Sequence, residues 1–367
     1  MTSTSTRINV GIIGGGLITQ VEHLPNLLQL PGLFSVGGVT DPSRTVRDHI
    51  EKRWGVKSFE SADALLGEKV DAVLIATPDA YHADLAILAL ERGLHVFSEK
   101  PLCYDPADAD RVIAARDKTR RVMQVGYMKR FDPAWRALRE MVRGEGARLR
   151  YISVDVNDPD SWPFTAHRDL VAGSDVAPAL IEETQARRLE QISRALGRVP
   201  SAAELKGFAG PYASSMVHDV NLVHGLLDAM EVKTGAVTGA AIFAGSAGGQ
   251  GAVRLAPGDG LWTVSHVAVP KLSDYSERVS LFFDDRIYEL DFPSPYLNHQ
   301  PTRLTEKRSD GHHARRIDHR PSYAEGFVEE LKSWWRAMVE GTPVENPVED
   351  ARRDMELLGA FARKAIG

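Results

Sequence analysis

Residues 8–19 read Ile8-Asn9-Val10-Gly11-Ile12-Ile13-Gly14-Gly15-Gly16-Leu17-Ile18-Thr19, an apolar run that breaks into three glycines and resumes with helical spacing over 17–30. That succession predicts a strand, a tight turn and a helix. Such a turn lets backbone amides approach a pyrophosphate, and the helix N-terminus favours its negative charge. Gly14 and Gly16 fit the first two glycines of the dinucleotide fingerprint, with Leu17 and Ile18 beside them as cofactor neighbours. Thr19 stands at the third position, where Gly or Ala ordinarily permits close helix packing. By itself the motif is also compatible with a plain glycine turn. The next apolar run, 34–40, ends in Asp41. An acid there accepts hydrogen bonds from the adenosine ribose hydroxyls and repels a 2′-phosphate, which argues for NAD over NADP. Ser43 and Arg44 lie close enough to soften that preference.

Alternation continues outward from this unit. Strand patterns at 71–76, 95–97 and 122–125 are separated by helical patterns at 83–92 and 107–118, which predicts a parallel, doubly wound sheet. After Pro133 the rhythm changes. A helix over 134–143 leads to a strand over 149–156. Strands then follow at 236–243, 252–255, 261–269, 278–283 and 286–290 with short turns and no crossover helices, the pattern of an antiparallel sheet. The expected fold is α/β, with a dinucleotide-binding domain at 1–130 and a second α+β domain at 131–367. The segment 298–320 is polar and charged without periodicity and is expected to be a long surface loop.

Bulk properties set limits. A chain of 367 residues, 43% hydrophobic and 26% charged, has the composition of a globular protein with room for two domains. Its formal net charge of −6 gives no general attraction to nucleic acid or anionic lipid. Cys103 is the single cysteine, which excludes an intrachain disulfide and Cys-based zinc clusters. With no apolar run of membrane-spanning length, a cytoplasmic protein with a small-molecule partner is expected.

Two loops should meet the glycine turn at the carboxyl edge of the sheet. The first is Ala76-Thr77-Pro78-Asp79-Ala80-Tyr81-His82, whose Thr77, Pro78 and His82 are cofactor candidates. The second is Ser98-Glu99-Lys100-Pro101-Leu102, which places Glu99 and Lys100 near the nicotinamide half of a dinucleotide. A lysine there can bind a substrate hydroxyl and stabilise alkoxide charge as hydride leaves.

Together GIIGGG, Asp41, ATPDAYH, SEKPL, GYMKRFDP at 126–133 and SYAEGFVEELKSWW at 322–335 resemble the Gfo/Idh/MocA oxidoreductases. The resemblance is strong over the first 133 residues and looser beyond. It implies an N-terminal Rossmann domain, a C-terminal domain with an open, mostly antiparallel sheet, and a C-terminal helix that packs back on the Rossmann domain. It also implies that Lys100 is catalytic, that the following proline peptide is cis, and that the substrate is a secondary alcohol of a sugar, glycoside or cyclitol. Homodimers or homotetramers are expected on the same ground.

Relatives resembling inositol dehydrogenase carry an Asp and a His four residues apart, then another acid three residues on. In ASSMVHDVNLVH, 213–224, His218 matches the histidine, while Ser214 and Asn221 stand at the acid positions. Residues so spaced share a helix face, so Ser214, His218 and Asn221 are expected to line one site, with Asp219 pointing elsewhere. His218 is the candidate general base. Arg130, Trp162 and Tyr212 are candidate substrate contacts. The helical stretch 178–196 carries Arg and Glu at three- and four-residue spacing, expected as a solvated face. His312, His313 and His319 share their loop with Arg315, Arg316 and Arg320, which opposes a cation site, and no metal is expected. Two further readings stay open: a dinucleotide-binding sensor or corepressor without turnover, and a reductase of another carbonyl, imine or enone.

Overall fold

The computed structural model describes residues 6–367, which fall into two compact units. The first comprises the chain to Gly126 with Thr165–Ala195 and Phe327–Arg353; the second comprises Tyr127–Phe164, Leu196–Gly326 and Asp354–Gly367. The chain thus leaves the first unit at Gly126 and returns to it twice, rather than dividing once near residue 130.

In the first unit the strands are β1 (Ile8–Ile13), β2 (Phe34–Thr40), β3 (Ser58–Phe59), β4 (Ala72–Ile75), β5 (His95–Glu99) and β6 (Met123–Gly126). They form one parallel sheet in the order β3-β2-β1-β4-β5-β6. Because helices cover both faces, the strands are apolar throughout rather than alternating, and all four residues of β4 are fully buried. Helix Gly326–Val339 contributes Leu331 and Trp334 to this core. The Trp334 ring stacks on Phe34 at 6.0 Å and meets Phe97 edge-on at 5.6 Å. The strand order reverses between β1 and β4, and in open α/β sheets ligands bind at the carboxyl edge of that reversal.

The second unit is built on eight strands: β7 (Leu149–Asp158), β8 (Lys233–Phe243), β9 (Gly248–Ala256), β10 (Leu261–Ala268), β11 (Ser276–Phe283), β12 (Arg286–Phe292), β13 (Arg303–Asp310) and β14 (His313–His319). Their order is β14-β13-β12-β11-β7-β10-β9-β8, and only β7 and β10 run parallel. Ile152, Val154 and Val156 of β7 and Trp262, Val264 and His266 of β10 face the interior in alternation, as a sheet buried on one side requires.

The loop expected over 298–320 is instead the hairpin β13–β14, with Asp310 paired to His313 around Gly311-His312. Gly311 has a positive φ of 55°, which a two-residue hairpin turn favours. Cross-strand polar pairs replace an apolar face: Thr305 donates to Asp318 at 2.9 Å, and His319 lies 3.3 Å from Glu306. The polarity that suggested a loop is that of an outermost, charged strand. No helix among the described residues is long and apolar enough to cross a membrane.

Candidate active site

One close approach shapes the glycine loop. Gly14 has φ +104°, and a Cβ there would stand 2.3 Å from the carbonyl oxygen of Ala76, so a side chain would force β1 and β4 apart at their ends. Gly16 is different: nothing lies within 4 Å of its Cβ position, and it is half-exposed beside exposed Leu17 and half-exposed Ile18. This open cradle at a helix start fits a pyrophosphate. Thr19 is buried, and its hydroxyl donates to the Gly14 carbonyl at 2.7 Å. The residue that departs from the fingerprint therefore fastens the loop. Asp41 accepts from the Gly15 and Ser43 amides, both at 2.9 Å, which fixes its carboxylate beside the cradle with lone pairs to spare for ribose hydroxyls. Arg44 is solvent-exposed, 3.5 Å from Asp48.

Because β5 is parallel to β1, Lys100 leaves the sheet at the same edge. The Lys100–Pro101 peptide is cis. Glu99 accepts the Lys100 amide at 3.1 Å through one oxygen and meets His23 Nε2 at 2.7 Å through the other. Burial alone would raise the Glu99 pKa, but the bond and charge of His23, with Lys100 and His82, outweigh it and hold it below the usual value. Glu330 lies in the same interior with no hydrogen-bond partner on either carboxyl oxygen. Burial, then the charges of Glu99 and Glu22, push its pKa well above the ordinary range.

His82 departs from expectation as a cofactor contact. Its ring is buried, with Nδ1 2.8 Å from the Pro101 carbonyl and Nε2 2.8 Å from the Thr77 carbonyl, so one nitrogen closes the 77–82 turn on itself and the other ties it to the lysine loop. Thr77 is half-buried and Pro78 exposed at the cofactor edge. Burial pushes the Cys103 thiol up, which makes it a poor nucleophile. Helix Pro178–Leu196 is also less solvated than its charge pattern suggests. Arg188 donates to Asp79 at 2.8 Å, Arg187 to Asp84 at 3.3 Å, and Arg194 to Asp105 at 3.2 Å as well as to Asp108.

In the second unit, His218 is half-buried on helix Val217–Ala229, with the Tyr127 ring edge-on at 6.4 Å. Ser214 is exposed, but it lies in a preceding π-helical stretch, Phe208–Met216, across which α-helical spacing does not carry. Asn221 does not join them: it is fully buried and donates to Asp354 at 2.7 Å, and the other Asp354 oxygen lies 2.6 Å from His224 Nδ1. Asp219 turns instead to Lys129, at 3.1 Å, which also pairs with Glu277 at 2.6 Å. Burial, reinforced by the Glu277 charge, pushes Asp219 well above the usual carboxyl range.

Two proposed substrate contacts are corrected. Arg130 is buried, with Nε and Nη2 donating to the Asn221 carbonyl at 3.0 and 2.8 Å. The buried Tyr212 directs its hydroxyl at the carbonyls of Ala241 and Gln250, at 3.0 and 2.9 Å. Both side chains serve the backbone. Trp162 is 61% exposed. Sequence reasoning missed His23 and Lys129. The signal for His23 was Glu99 itself, since a carboxylate ending an apolar strand needs a buried partner.

Among the described residues, no three His, Cys, Asp or Glu side chains are grouped to hold a metal. The glycine cradle, Asp41 and Lys100 thus stand at the carboxyl edge of one parallel sheet, where open α/β folds bind dinucleotides. A family model described as an oxidoreductase family with an NAD-binding Rossmann fold matches residues 8–127. Inositol 2-dehydrogenase 3 of Saccharopolyspora erythraea is 30% identical over 167 residues, 45% of this chain, and the match spans about half of that relative, 49%. Inositol 2-dehydrogenase of Corynebacterium glutamicum is 24% identical over 299 residues, 77% of this chain and 84% of that protein. KijD10, a 3-ketoreductase from Actinomadura kijaniata solved with NADP and TDP-benzene, shares the fold with TM-score 0.73 at 20% identity over 98% of each chain. Over residues 8–127 the chain is thus similar to the Gfo/Idh/MocA oxidoreductases, the family that its sequence motifs resemble.

Proposed function

We propose that the chain is an NAD-dependent dehydrogenase that oxidises a secondary hydroxyl of a cyclitol, sugar or glycoside, or reduces the corresponding ketone. The supporting observation is Lys100, anchored through Glu99 to His23 and through the Pro101 carbonyl to His82, at the sheet edge that carries the glycine cradle. NAD, when bound there, supplies the hydride acceptor at its nicotinamide ring. The Gly14–Gly16 loop and the following helix hold the pyrophosphate, and Asp41 accepts from the ribose hydroxyls, which selects NAD over NADP. Lys100 donates a hydrogen bond to the substrate oxygen and stabilises alkoxide charge. His218 takes the hydroxyl proton in oxidation and returns it in reduction. In this reading the enzyme works in the cytoplasm as a homodimer or homotetramer.

One observation favours a second reading, a dinucleotide-binding sensor without turnover: Ser214, not a carboxylate, precedes His218. The two are separated by mixing purified protein with NAD, and separately NADP, across cyclitols, free sugars, sugar acids and glycosides while following reduced-nicotinamide absorbance. A dehydrogenase gives a signal with at least one substrate. Silence across the panel, in protein that binds NAD calorimetrically, favours the sensor.

A further inference from the structure

Residues 165–176 belong to the first unit and run as a strap beside the adenosine end of the cofactor site. Gln20, on the turn after the glycine loop, exchanges two hydrogen bonds with the Val171 backbone, at 2.8 and 3.0 Å. Arg168 donates to the Val21 carbonyl at 3.0 Å. On the far side of the loop, the Asp169 carbonyl lies 3.2 Å from His49 Nε2. Beyond these anchors the strap presses against Ser43: a Cβ on Gly173 would lie 2.6 Å from Ser43 Cβ.

This close approach delivers Asp175. One of its carboxylate oxygens accepts the Ser43 hydroxyl, and the other accepts the Thr45 amide at 3.1 Å. These donors open helix Arg44–Trp54, and Ser43 also gives its amide to Asp41 at 2.9 Å. Asp41 is the acid assigned to the ribose hydroxyls, so a phosphate on the 2′-oxygen would arrive at this corner. A helix start with a serine hydroxyl and a free amide suits a phosphate. Here both donors already serve an anion carried by the chain. The Ser43 hydroxyl bond and the Thr45 amide hold the Asp175 pKa down at about 2, so the anion persists at neutral pH.

We propose that Asp175 is a cofactor-specificity residue: a resident carboxylate, delivered from 130 residues away in sequence, that takes the donors a 2′-phosphate needs and repels that phosphate. It works with Asp41, and it removes the softening that Ser43 and Arg44 would otherwise introduce. The inference rests on the dinucleotide-binding reading of the glycine loop.

The test uses the full chain with Asp175→Ala and Asp175→Asn, both checked for wild-type melting. Calorimetry or protein fluorescence gives dissociation constants for NAD and NADP, and for AMP and adenosine 2′,5′-bisphosphate as probes without nicotinamide. The expected result is that Asp175→Ala shifts the NADP-to-NAD preference toward NADP by about tenfold or more. The bisphosphate-to-AMP ratio should shift alike, and the gain should shrink as salt rises. Asp175→Asn, which keeps the shape and loses the charge, should shift in the same direction. Unchanged ratios in both folded variants overturn the role of Asp175 while leaving dinucleotide binding intact. Wild-type protein that binds neither NAD nor AMP overturns the dinucleotide reading and this inference with it.

Discussion

A carboxylate at the buried end of an apolar strand is unstable unless something holds its charge. Glu99 is held by His23, so the residue beside Lys100 owes its position to a histidine 76 residues earlier. Removing one partner of a buried pair strands the other. His23→Ala should therefore lower unfolding free energy by about 3–5 kcal/mol, read from urea denaturation; wild-type stability would refute the pairing. Glu330 behaves oppositely. Its folded pKa is raised well above the ordinary 4.5. As pH rises past 4.5, the unfolded chain releases a proton that the folded chain keeps, so stability falls through that window. Glu330→Gln should melt higher than wild type at about pH 8 and converge with it near pH 4. Parallel curves at all pH values would mean that Glu330 is not the buried neutral acid described.

At the scale of elements, the glycine loop shows how a motif and its packing fix each other. A Cβ on Gly14 would press 2.3 Å from a backbone oxygen, where no rotamer can relieve the clash. Gly14→Ala should cost about 1–3 kcal/mol in backbone strain alone and weaken NAD at least about tenfold. Calorimetric binding at wild-type affinity would contradict this loop geometry. The element was legible because β1, turn and helix are adjacent in sequence. The hairpin β13–β14 was not, because its strands carry charge on both faces and the period-two signal was lost; the glycine after Asp310 was the only local cue. The π-helical stretch Phe208–Met216 was equally hidden, since Ser214 and His218 read as neighbours only if the helix is regular.

Over the whole molecule, alternation of strand and helix specified the parallel sheet, and the loss of crossovers specified the antiparallel one. Lys100, Asp41 and the glycines were legible because each sits at the end of a strand. Asp175 was not, because its partners Ser43 and Thr45 are far away in sequence and no local pattern reports them. Arg130 and Tyr212 misled for a related reason: a motif reports which residue is present, not which backbone carbonyl its side chain will satisfy. The most direct test of the whole account is turnover by Lys100→Ala, measured as reduced nicotinamide formed from the substrate that wild type oxidises, alongside NAD binding. The account predicts a folded variant that still binds NAD and loses about 10²-fold or more in kcat. A variant that turns over at the wild-type rate would contradict the assignment of Lys100 and the mechanism built on it.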